Sequence, residues 1–116
     1  MKVVVQGTTE FNEYSIFLRC MGVMMSDLKE TENEFIVYSL GPSQINSFVS
    51  EFCNVSERNL KARGIKIKHI NVHHTWFEEN LNEINYFAYL SKPNQPLSNM
   101  AKLAQTQDFQ FAVFQY

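Results

Sequence analysis

Lys2-Val3-Val4-Val5-Gln6-Gly7-Thr8-Thr9-Glu10-Phe11 decides the fold. An apolar run that stops at a glycine and two small hydroxyl residues reads as a buried strand, Lys2 to Gln6, whose C-terminal tip opens onto a turn and a helix. Parallel α/β domains begin this way, and their ligand crevices lie outside the carboxyl ends of the strands. A cleft is therefore expected beside Gly7 and Thr8.

Outward from this stretch, apolar runs alternate with segments of helical period. After Asn12, a candidate cap, the residues Tyr14, Phe17, Leu18, Met21, Met24, Met25 and Leu28 fall at i, i+3, i+4, i+7 spacing and predict an amphipathic helix. Phe35 to Leu40 predicts a second buried strand that ends at Gly41-Pro42-Ser43, where Ser43 is placed to cap a long helix. That helix carries Ile45, Phe48, Val49, Phe52, Cys53 and Leu60 on one stripe and runs to about Arg63, with a break expected near Asn54 and Gly64 as its stop. Ile65 to Asn71 alternates and is placed at a sheet edge, with Lys66 and Lys68 guarding it.

Thr75 to Leu81 predicts a short helix capped by Thr75, with Glu78 and Glu79 as acidic partners of its first turn. Tyr86 to Leu90 is the fourth strand, Ser91 to Pro96 a loop, Leu97 to Ala104 a helical segment, and Phe109 to Phe114 the fifth strand. The order βαβαβαβαβ with short connections implies right-handed crossovers, hence a three-layer α/β sandwich: a five-stranded, mostly parallel sheet with helices on both faces. The 116 residues suit one domain.

Composition narrows the function classes. At 45% hydrophobic and 19% charged the chain is ordinary globular protein, and a net charge of −2 removes the usual electrostatic motive for binding nucleic acid. There is no signal-like leader and no apolar run of bilayer length, so a cytoplasmic protein without a membrane partner is expected. Cys20 and Cys53 fall on the helices' apolar faces and are expected as reduced core thiols.

The element order and the residues Gly7-Thr8-Thr9-Glu10-Phe11, Glu13-Tyr14, Arg63-Gly64-Ile65, the Trp76 region and Asn85-Tyr86-Phe87-Ala88-Tyr89 resemble the small Rossmann-like proteins of the SLOG superfamily, particularly its YspA-like members. The resemblance implies a Rossmann-like sheet and a nucleotide-derived small molecule at the strands' carboxyl ends. Thr9 stands where the family usually has arginine. Its two glycine-rich turns correspond to Gly41-Pro42-Ser43-Gln44-Ile45-Asn46-Ser47 and Pro93-Asn94-Gln95-Pro96-Leu97-Ser98, where most glycines are replaced. Ile45, Asn94, Gln95 and Leu97 in those places are expected to lose positive-φ freedom and to crowd an approaching anion. Ala101 stands where the hydrolytic branch has a glutamate, so no catalytic residue is assigned and activity is expected to be absent or weak.

The ligand-binding set read from the chain is Gly7, Thr8, Thr9, Glu10, Gly41, Pro42, Ser43, Ser91 and Lys92, with Lys92 or a helix N-terminus meeting any phosphate. Glu10 and Glu13 serve either as hydroxyl ligands or bases, or simply oppose the first helix's dipole. No cofactor and no metal site is assigned: His73 and His74, adjacent on an extended segment, point to opposite faces, and His69 has no Cys or Asp at ligand spacing. Arg58, Lys61, Arg63, Lys66 and Lys68 are either a surface for an acidic partner or a solvated helix end with edge gatekeepers.

Tyr86, Phe87, Tyr89, Phe109, Phe111, Phe114 and Tyr116 form either an aromatic core or an exposed surface fit for a protein partner or a homodimer. Two functions stay open on this reading. The first is a SLOG-like domain binding a nucleotide-derived small molecule. The other is a scaffold with an abandoned pocket, acting through protein contacts as an accessory or inhibitory factor, for example of a virus or mobile element. A hydrolase ranks third.

Overall fold

The computed structural model describes residues 1–41 and 43–116, with Ser43 described through its backbone alone. Five strands, β1 (Lys2–Gly7), β2 (Glu34–Leu40), β3 (Lys66–Asn71), β4 (Tyr86–Ser91) and β5 (Gln110–Gln115), alternate with four helices, α1 (Tyr14–Met25), α2 (Ser43–Ala62), α3 (His74–Glu79) and α4 (Asn99–Gln105). The strands form one sheet in the order β3-β2-β1-β4-β5, and every pairing is parallel. The Rossmann-like α/β sandwich expected from the sequence is the observed fold.

Alternate residues of each strand feed two cores, as a period of two requires. Val3, Val5, Val37, Ala88 and Leu90 pack with α1 and α2 through Phe17, Cys20, Met21, Ile45, Val49 and Phe52. Val4, Ile36, Tyr38, Phe87 and Tyr89 pack on the opposite face with Phe77 of α3 and with Ala101 and Ala104 of α4. Burial on both faces is why β1, β2 and β4 read as continuous apolar runs.

Several element boundaries differ from expectation. No side chain caps α1; its N-cap is Glu13, and Asn12 is exposed. α2 runs unbroken through Asn54 for 20 residues. α3 begins at His74 after His73, so Thr75 lies inside it, and Glu78 and Glu79 occupy its last turn instead of its first. A 3₁₀ turn, Leu81–Glu83, follows. The alternation in β3 holds to Lys68 and then inverts: Ile70 shares the lysines' face and is exposed, while His69 takes the covered face. The cap and lining roles read onto Pro42 and the Ser43 side chain lie outside the described residues.

Candidate functional site

The strand order reverses between β1 and β4, so the topological switch point lies above Gly7 and Leu90. The two tips are tied by the Thr8 amide, which donates to the Leu90 carbonyl at 3.0 Å. Thr8, Thr9, Glu10, Ser91 and Lys92 all gather at this end of the sheet, Thr9, Glu10 and Lys92 exposed and Ser91 buried.

Their polar atoms are largely engaged with one another. The Thr8 hydroxyl hydrogen-bonds the Tyr116 hydroxyl. Lys92 Nζ reaches Glu10 Oε2 at 3.5 Å and lies 5.9 Å from the centre of the Tyr116 ring. The Lys92 amide donates to Gln95 Oε1 at 2.8 Å, and the Gln95 amide returns to the Lys92 carbonyl at 3.3 Å, closing the loop after β4 on itself.

On the α1/α2 side the space above Gly7 is filled. A Cβ built on Gly7 would stand 2.8 Å from Ile45 Cδ1 and 3.3 Å from Phe11 Cβ, and both neighbouring side chains are fully or almost fully buried. Phe11 is packed edge-on against Phe48 and Tyr116. Glycine is needed here, but for the approach of a side chain of the same protein. Opening this place to an anion would forfeit the burial of Ile45, about 1.5–3 kcal/mol. The exposed Lys92–Glu10 pair offers about 0–1 kcal/mol in return.

The other side of the strand tips is open. Gln6, Leu40, Gly41, Asn71, Val72, His73, His74 and Met100 line a cleft of about 340 Å³. Gly41 has φ +118°, which lets β2 end abruptly here and exposes its backbone to the cleft. Of the sequence-read set, Gly41 therefore lies by this cleft, apart from the Thr8, Glu10, Ser91 and Lys92 group. His73 and His74, expected on opposite faces, both border it. Among the described residues no three His, Cys, Asp or Glu side chains come together as a metal site.

Asn94 corrects a second expectation. It stands where the resemblance places a glycine, and it keeps the left-handed backbone with φ 68°. Asparagine tolerates this region better than most residues.

A polar cluster escaped the sequence reading. Ser39 on β2, almost fully buried, donates to Asn46 Oδ1 of α2 at 3.0 Å, accepts from Asn71 Nδ2 at 2.9 Å and lies 2.8 Å from His69 Nε2. A hydroxyl has one proton, and here it goes to Asn46, so His69 must donate through Nε2–H. It cannot act as a base toward Ser39. Burial also holds the His69 pKa below its ordinary value. The cluster is a structural tie between β2, β3 and α2; its signals in sequence were a serine within a buried run and a histidine at the break in the β3 alternation.

The aromatic cluster divides between the cores. Tyr86, Phe87 and Tyr89 are buried and form no surface. Phe109 and Phe111 pack against one core, Phe114 and Tyr116 against the other, all partly open to solvent. Cys20 is buried, Cys53 half-buried, and both are free thiols. No helix is long and apolar enough to cross a membrane among the described residues. No protein-family model, curated protein or solved structure matches the chain.

Proposed function

We propose that this is a Rossmann-like domain, a degenerate relative of the SLOG proteins it resembles, whose inherited crevice is closed by its own side chains and which acts by contacting another macromolecule. Ile45 seated over Gly7 carries the reading, since it fills the place where an open crevice would leave room beside the first strand's tip. The mutual engagement of Thr8 with Tyr116 and of Glu10 with Lys92 supports it. A thermal-shift screen of nucleotides and ADP-ribose derivatives, alongside affinity capture and light scattering, tests the reading. The expected result is no stabilisation by any of these ligands and a specific macromolecular complex; a strict monomer without partners, or stabilisation of several degrees by a ligand, overturns it.

One observation favours a second reading. The open cleft bordered by Gln6, Gly41, His73 and His74 lies at the strands' carboxyl ends and has room for part of a nucleotide-derived molecule. On that reading a ligand's stabilisation disappears in His73→Ala and survives Lys92→Ala.

A further inference from the structure

The two edges of the sheet are unequal. β3 carries Lys66 and Lys68, both exposed, and Lys68 pairs with Glu34 at 3.2 Å. Charges of this kind keep a foreign strand away. β5, Gln110-Phe111-Ala112-Val113-Phe114-Gln115, has no charged residue and no proline along its whole length.

Its free hydrogen-bonding groups can be assigned. The Gln110 amide donates to the Asn85 carbonyl and the Tyr116 amide to the Ser91 carbonyl, both toward β4. Backbone groups alternate sides along a strand, so residues 110, 112, 114 and 116 face β4, and Phe111, Val113 and Gln115 turn their N–H and C=O groups outward.

We propose that β5 pairs with β5 of a second copy of this chain, antiparallel about a two-fold axis at Val113, joining two sheets into one of ten strands. This deepens the interaction reading above and rests on it. A two-fold axis normal to the sheet keeps each side chain on its own face, so only residues of like parity can oppose one another. Centred on Val113, the outward groups meet as Val113 with Val113 and Phe111 with Gln115, each a hydrogen-bonded pair. Val113, 40% exposed in the single chain, is covered by its own counterpart. On the other face small Ala112 falls opposite large Phe114, both only partly buried in the single chain, so bulk meets space without like charges.

Sedimentation equilibrium of the full chain over a wide concentration range tests the pairing. A monomer–dimer equilibrium is expected, with Val113→Lys weakening it about tenfold or more and Ile70→Lys, at the guarded edge, leaving it unchanged. Val113 is on the surface, and circular dichroism confirms that the lysine variant stays folded. In a Cys53→Ala background, Val113→Cys should oxidise to a covalent dimer while Ala112→Cys does not, because only position 113 faces itself across the axis. A monomer at every concentration, a dimer indifferent to Val113→Lys, or no preference for position 113 in cross-linking overturns the proposal. A monomer that still captures a specific macromolecule defeats the pairing and leaves the interaction reading standing, whereas nucleotide stabilisation in the screen defeats the interaction reading whatever the oligomeric state.

Discussion

Ile45 Cδ1 lies 2.8 Å from the point where a side chain on Gly7 would begin. One residue closes β1 and the other is an inward position in the first turns of α2, so the contact fixes how closely that helix approaches the central strand. Gly7→Ala is expected to destabilise the protein by about 1–3 kcal/mol through overpacking. Ile45→Val alone should cost about 0.5–1.5 kcal/mol. The double variant should be less destabilised than the sum by about 0.5 kcal/mol or more, because valine removes the methyl at 2.8 Å, while the γ carbon at 3.0 Å, which valine keeps, and Phe11 Cβ at 3.3 Å hold the rescue to a partial one. Urea unfolding of the four proteins closes the cycle, and strict additivity would contradict this packing.

His69 makes stability depend on pH. Burial lowers its pKa from the ordinary 6.5, so on acidification the unfolded chain takes up the proton first. The contribution is full above about pH 6.5 and is lost as pH falls from there through the folded-state pKa. Its Nε2–H bond to Ser39 survives protonation; what is disfavoured is the charge beside the packed β2 strand. Urea midpoints between pH 7.5 and 5 should fall for the wild type, and the slope should be shallower in His69→Gln.

The thiols should be slow to react. Burial pushes Cys20 up to about 12, and burial followed by the nearby Glu57 carboxylate pushes Cys53 up to about 11. With thiolate as the reactive form, native Cys53 should be alkylated at pH 8 on the order of a hundredfold more slowly than in urea. Cys20 should react only on unfolding. Mass spectrometry of timed iodoacetamide labelling reads both.

Lys92→Ala should leave stability within about 1 kcal/mol of wild type, because its partner Glu10 is as exposed as Lys92 itself. A calorimetric scan checks this. A larger loss would mean that the closure of the crevice depends on the ion pair more than on Ile45.

The sheet was readable because burial on both faces leaves few polar residues in Val3–Val5, Phe35–Leu40 and Tyr86–Leu90, and no other arrangement hides such runs so economically. The crevice was less readable. Whether a glycine bounds empty space or a neighbour's side chain depends on residues far away in sequence, and Ile45 and Tyr116 reach the tip of β1 from α2 and from beyond β5. The cap of α3 falls at His73, two residues before the expected Thr75: threonine is the better cap by local preference, yet His73 holds the extended N-cap conformation, without a side-chain bond. Asn94 kept a glycine's backbone under another letter, which a search for glycines overlooks.

Ser98 joins two neighbourhoods with separate parts of one hydroxyl. Its proton goes to Gln6 Oε1 at 2.6 Å, on the wall of the open cleft, and its oxygen accepts the Ala101 amide at 3.0 Å at the start of α4. A visitor that captured Gln6 would release the proton without disturbing the lone pair. The cap at the start of α4 therefore keeps its acceptor whether or not Gln6 is engaged elsewhere.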